Sequence, residues 1–106
     1  MGLFTFLQST DINEGLKDYE ATPNATLLDV RTPEEYQEGH IPNSKNVPLQ
    51  TIETVSTLIK DKETPIFVYC LSGGRSKQAA TIIKKLGYQQ VTNIGGISTY
   101  RGKVEK

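Results

Sequence analysis

The chain predicts an α/β fold, a doubly wound parallel sheet of about five strands flanked by helices on both faces. Three observations predict it. Strand and helix signals alternate from end to end, the pattern of strands joined by crossover helices. Two apolar runs, Thr26–Val30 and Pro65–Cys70, are short and bounded by turn residues, as strands buried on both faces are. The length of 106 residues suits one domain with one core, expected over about residues 11–100.

The elements follow in order. Leu3-Phe4-Thr5-Phe6-Leu7 reads as a short first strand. Asp11 offers an N-cap with Glu14 three residues on, a capping-box pattern, and Ile12, Leu16 and Tyr19 share one helical face. Pro23-Asn24 breaks that helix before the strand Thr26–Val30. Thr32-Pro33-Glu34-Glu35 is a strong helix start, with Thr at the N-cap, Pro at N1 and Glu at N3, and Gly39 closes the short helix. Val47 and Leu49 flank Pro48 where only a short strand fits. Ile52, Val55 and Ile59 form one helical stripe between Thr51 and Lys60. The clearest strand, Pro65–Cys70, precedes a helix from Arg75 that carries Ala79, Ile82, Ile83 and Leu86 and stops at Gly87. A last strand, Val91–Ile94, leads to a Gly95-Gly96 turn and a polar tail after Arg101.

Composition excludes several function classes. Twelve Lys+Arg balance twelve Asp+Glu, so no global positive field gathers nucleic acid or anionic membrane. One Cys excludes a disulfide scaffold and suits a reducing compartment, so the cytoplasm is the expected location. No apolar run approaches the length that spans a bilayer. Met1–Leu7 lacks the basic start and small-residue cleavage site of a signal peptide, and Phe6 stands where myristoylation needs Ser or Thr.

Open parallel sheets bind ligands beyond the carboxyl ends of their strands. Two strands end there in reactive residue types, one in Asp29-Val30-Arg31 and one in Cys70. Cys70 is followed by Leu71-Ser72-Gly73-Gly74-Arg75-Ser76 and then a helix. Adjacent glycines let the loop take positive φ and turn its N–H groups inward, and the helix N-terminus adds its dipole. A thiol so placed is expected as a thiolate. The bland alternative is a Cys serving as a small buried hydrophobe. Arg75 at a helix start runs against the dipole, which argues for an anion nearby.

These motifs resemble the rhodanese family. Leu28-Asp29-Val30-Arg31, Glu35-Tyr36, Gly39-His40-Ile41-Pro42 and Asn46-Val47-Pro48 are similar to its first signature. Val68-Tyr69-Cys70 with Ser72-Gly73-Gly74-Arg75-Ser76 resembles its active-site loop, and Asn93-Ile94-Gly95-Gly96-Ile97 its closing motif. The resemblance runs from about residue 11 to residue 100. It implies a rhodanese-like sheet and sulfur transfer without a cofactor or metal. Cys70 would take a sulfane sulfur from a donor such as thiosulfate, become a persulfide, and pass that sulfur to a thiol, cyanide or protein acceptor. Leu71 to Ser76 would form the substrate-binding loop, with Arg75 facing an oxyanionic donor. Zero net charge and short apolar runs lead us to expect no nucleic-acid or membrane partner.

There are departures from the family pattern. Leu71 and Ser72 stand where thiosulfate-specialised members carry basic residues, Tyr100 where many have Trp, and Ser44 where Ala is usual, the last with no evident consequence. His40, the one histidine, is expected to be a structural hydrogen-bonding residue. Asp29 and Arg31 are expected to support the site by pairing with each other, with Glu35 or with Arg75. Glu34, Glu35 and Glu38 read as helix-start electrostatics on a solvated face. Cysteine phosphatases and arsenate reductases are the enzymatic rival, but they place five residues between Cys and Arg where this chain has four. A persulfide carrier or binding module is the other alternative, while thioredoxin-type reduction lacks its second Cys.

Overall fold

Helix α1 (Ile12–Glu20) begins where Asp11 accepts a hydrogen bond from the Asn13 amide at 2.9 Å. The computed structural model describes residues 11–106, and the expected strand over Leu3–Leu7 lies outside them. The capping box expected of Glu14 is replaced by a contact with Lys17, whose Nζ lies 3.4 Å from its carboxylate. Asn24, at φ +63°, carries the chain out of the turn, a left-handed conformation that Asn tolerates.

Strands β1 (Thr26–Asp29), β2 (Lys45–Asn46), β3 (Ile66–Cys70) and β4 (Val91–Gly96) pair in the order β2-β1-β3-β4, all parallel. The sheet therefore has four strands among the described residues rather than about five. The short strand expected around Pro48 sits earlier, at Lys45–Asn46, because Pro48 has no N–H to donate. Val47 and Leu49 still donate to the carbonyls of Asp29 and Val30, at 3.0 and 3.1 Å. The expected Gly95-Gly96 turn is instead the end of β4. Val68 pairs with Asn93 but Tyr69 with Gly95, so Ile94 is the extra residue of a bulge.

Alternation along the strands sorts the core into two halves. Leu28, Val30, Val68 and Cys70 join Ile52, Val55, Ala79 and Ile83 on one face. Leu27, Phe67, Tyr69 and Ile94 meet Ile12 and Leu16 of α1 and Ile41 on the other. Helices thus cover both faces, as the sequence predicts. The Ile52–Val55–Ile59 stripe is buried, but it is built from a 3-10 stretch, Leu49–Thr54, kinked at Thr51, followed by one α turn, α3 (Val55–Leu58). The capped helix α2 (Pro33–Glu38) forms as expected with its capping box complete. Helix α4 (Gly74–Lys85) starts one residue before Arg75. No helix among the described residues is long and apolar enough to cross a membrane.

Helix α1 crosses β4 closely. A Cβ on Gly15 would lie 2.5 Å from both Cβ and Cγ2 of Ile94, closer than packed carbons come. Gly15→Ala should therefore destabilise the protein by about 1–3 kcal/mol, against the gain of up to about 1 kcal/mol that helix propensity alone promises. A urea midpoint above the wild-type value would show that α1 rides outward freely.

Candidate active site

Cys70 ends β3 with its side chain on the α3–α4 side of the sheet and 1% of its surface exposed. The chain then turns at Gly73, whose φ of +108° puts it in the left-handed region as the N-cap of α4. Gly74 is simply the first helical residue, so one glycine makes the turn where two are expected. The loop also needs room beneath it, which Gly96 supplies. A Cβ there would collide with the Leu71 carbonyl oxygen and lie 2.5 Å from Ser72 Cα.

This folding aims donors at the sulfur. The Gly73 amide donates to Sγ at 3.0 Å and the Ser76 amide at 3.4 Å, with Ser76 Oγ also 3.4 Å away. Burial pushes the Cys70 thiol up, but the Ser76 hydroxyl and the amides of Ser76, Gly73 and Ser72 outweigh it. The net result is a thiol below the ordinary Cys range. The positive end of α4 acts in the same direction. Leu71 makes no hydrogen bond to the sulfur. Its carbonyl accepts from the Ser98 amide at 3.0 Å, and Leu71, next to Cys70 in the chain, is 45% exposed.

The anion that offsets Arg75 is Glu35. Nη1 and Nη2 of Arg75 donate to Oε1 and Oε2 of Glu35 at 2.7 and 3.0 Å, joining α4 to α2 across the mouth. Glu35 Oε1 also accepts from the Thr32 amide and hydroxyl, at 2.9 and 3.1 Å. The Arg75 hydrogen bond, opposed by burial and helped by Thr32, holds the Glu35 carboxyl at about 2. The sequence reading of Glu35 as part of a solvated face is therefore corrected, while Glu34 and Glu38 are exposed as expected.

Asp29 and Arg31 pair with each other. Arg31 Nη2 donates to Asp29 Oδ2 at 2.7 Å and to the Gly39 carbonyl at 2.8 Å, and both side chains are buried. The guanidinium lies 5.9 Å from the centre of the Tyr69 ring. The pair makes no hydrogen bond to the cysteine loop; it ties the end of β1 to the Gly39 carbonyl. Tyr69 hydroxyl accepts from the Ile41 amide at 3.1 Å and meets Ser44 Oγ at 3.2 Å. Ser44 thus has a consequence that the sequence does not reveal. His40 is structural, stacked on Tyr36 at 3.7 Å with Nδ1 2.9 Å from the Tyr36 carbonyl. Sequence reasoning also missed Asn93, whose Oδ1 lies 2.7 Å from Ser76 Oγ; the Asn-Ile-Gly-Gly motif was its only signal.

Comparison with known proteins gives the family. The rhodanese-like domain family matches residues 12–103. The chain belongs to that family. It is 41% identical to thiosulfate sulfurtransferase PspE of Escherichia coli over 71 residues, covering 66% of this chain and 68% of PspE. It is 34% identical to the putative sulfur carrier protein YrkF of Bacillus subtilis over 106 residues, covering 99% of this chain but only 52% of YrkF. The solved structure of a rhodanese with anions from E. coli superposes with a TM-score of 0.72 at 36% identity, covering 77% of this chain and 98% of that one. This rhodanese-like chain therefore spans about half to two thirds of those two curated relatives. In it, Cys70, Gly73 and Ser76 come together at one point with Glu35–Arg75 at the rim, while Asp29–Arg31 lies on the other side of the sheet.

The Glu35–Arg75 pair has a pH signature. Its carboxyl is depressed in the folded protein to about 2 from the ordinary 4.5, so its stabilisation is complete above about pH 4.5 and fades as pH falls through about 2. Glu35→Gln should be less stable than wild type at pH 6, and that deficit should shrink between pH 4.5 and 2. A deficit in denaturant midpoint that stays constant with pH would contradict the ion pair.

Proposed function

We propose that this rhodanese-like chain is a sulfurtransferase working through a persulfide on Cys70. The observation that carries this reading is the Gly73 amide at 3.0 Å and the Ser76 amide at 3.4 Å on one buried sulfur at the start of a 12-residue helix. Such donors stabilise a sulfur anion as an oxyanion hole stabilises oxygen. The Cys70 thiolate attacks the outer sulfur of a sulfane donor such as thiosulfate. The donor's sulfur–sulfur bond breaks, its electron pair leaves with the sulfite, and Cys70 carries the persulfide. A thiol, cyanide or protein acceptor then attacks the outer sulfur, and Cys70 leaves as a thiolate on the same donors. The chain has one Cys, so release of the sulfur depends on the acceptor. A free thiol also suits a reducing compartment such as the cytoplasm.

The rim supports a view of the donor. Arg75 gives two N–H groups to Glu35 and keeps others for an oxyanion, while Leu71, next to Cys70 in the chain, offers an exposed apolar side chain. The mouth thereby accepts an oxyanionic donor without being strongly cationic.

Two outcomes test the reading. Incubation with thiosulfate followed by intact mass spectrometry should show one added sulfur atom, removed by cyanide or thiol and absent in Cys70→Ser. Transfer at the wild-type rate in Cys70→Ser would overturn the assignment. Arg75→Ala should lower kcat/KM for thiosulfate at least tenfold more than for a neutral persulfide donor, because the lost charge serves the oxyanion. Equal losses with both donors would make Arg75 a purely structural partner of Glu35.

A further inference from the structure

Ser76 is fully buried, and its hydroxyl has one proton for several acceptors. Asn93 Oδ1 is nearest at 2.7 Å, the Gly73 carbonyl lies at 3.1 Å, and Cys70 Sγ lies at 3.4 Å. The Asn93 amide is itself oriented. Its Oδ1 accepts from the Gly95 amide at 3.0 Å, and its Nδ2 donates to the Gly73 carbonyl at 3.4 Å. That orientation puts an acceptor, not a donor, in front of Ser76.

We propose that Asn93 is a positioning residue for sulfur transfer, acting on Cys70 through a two-position Ser76 hydroxyl. While the sulfur carries its own proton, S–H donates to Ser76 Oγ and the hydroxyl proton rests on Asn93. When the sulfur is an anion, the hydroxyl turns and donates to it. Asn93 Oδ1 is not orphaned by that turn, because the Gly95 amide still donates to it. The bulge in β4 that lets Gly95 reach back to Asn93 is thus part of the device. Asn93 and the sulfur compete for one proton, so Asn93 holds the thiol less acidic than the loop alone would make it. That leaves Cys70 a better nucleophile when it attacks a donor, since nucleophilicity falls with thiol pKa.

The charged groups of the surrounding elements are Arg75 with Glu35 on the loop side and, across the sheet, Asp29 with Arg31 at the end of β1. Each cation is matched by a carboxylate, and none of the four hydrogen-bonds to Ser76 or Asn93. Lys77, the next residue of α4, has no ion-pair partner among the described residues.

The proposal rests on the sulfur-transfer reading for the use of the anion, but its test needs no sulfur donor. The Cys70 pKa is read from thiolate absorbance against pH. Asn93→Ala removes the competing acceptor and should lower that pKa by about one unit, whereas a merely structural loss would loosen the amides and raise it. Ser76→Ala should raise it, and adding Asn93→Ala in that background should change nothing further. Asn93→Asp keeps the shape and strengthens the acceptor, so it should raise the pKa, and by more with Ser76 present than in Ser76→Ala. An unchanged or raised pKa in Asn93→Ala, or the same shift with and without the Ser76 hydroxyl, overturns the proposal. Should Asn93→Ala fail to fold, equal rises from Asn93→Asp in the two backgrounds overturn it as well. Persulfide formation measured separately on the same proteins tells this failure from a failure of the sulfur-transfer reading.

Discussion

A sulfur atom buried at the end of a strand meets hydrogen-bond donors already in place, and the surrounding loop, bulge and glycines all bear on that contact. Water cannot solvate Cys70, which is 1% exposed, so the backbone amides of the loop and of the first turn of α4 do so instead. Gly73 must be left-handed to turn those amides inward. Gly96 must lack a side chain so that the loop can sit on the end of β4. The bulge at Ile94 brings Gly95 and Gly96 to that position opposite Tyr69 and Cys70. Together these features set the loop amides around the sulfur.

Two ion pairs hold the surroundings of the loop, in different ways. Asp29–Arg31 is buried, with the carboxylate accepting from Nε, Nη2 and the Arg31 amide. Desolvated charges of this kind add little net stability, but removal of one partner strands the other. The pair therefore locks the end of β1 against Tyr69 and the Gly39 carbonyl. Glu35–Arg75 is partly exposed and spans α2 and α4. It offsets the unfavourable position of an arginine at a helix N-terminus, and it leaves the mouth nearly neutral.

Much of this was legible in the residues. Hydrophobic runs and caps placed β1, β3, α2 and α4 within a residue or two, because those elements depend on local periodicity and on side chains close in sequence. Thr32 with Glu35 is the clearest case, since both halves of its capping box lie within one turn. The setting of Cys70 was legible too, as a Cys between a buried strand and a glycine-bearing helix start. The strand around Pro48 was displaced and the Gly95-Gly96 turn became strand, because pairing with a neighbour, not local preference, decides where a strand ends.

The partners of charged and hydroxyl groups far apart in the chain were not legible. Glu35 is 40 residues from Arg75, Ser76 is 17 from Asn93, and Ser44 is 25 from Tyr69. The sequence by itself determined the α/β class, the family resemblance and the position of the cysteine loop between a strand and a helix, since these follow from local patterns and from motifs in order. Tertiary structure alone decided which carboxylate neutralises which arginine and which amides reach the sulfur. It also decided which acceptors surround the Ser76 hydroxyl. Hydrogen bonds form over about 3 Å, and only the folded sheet brings residues so far apart in the chain to that distance.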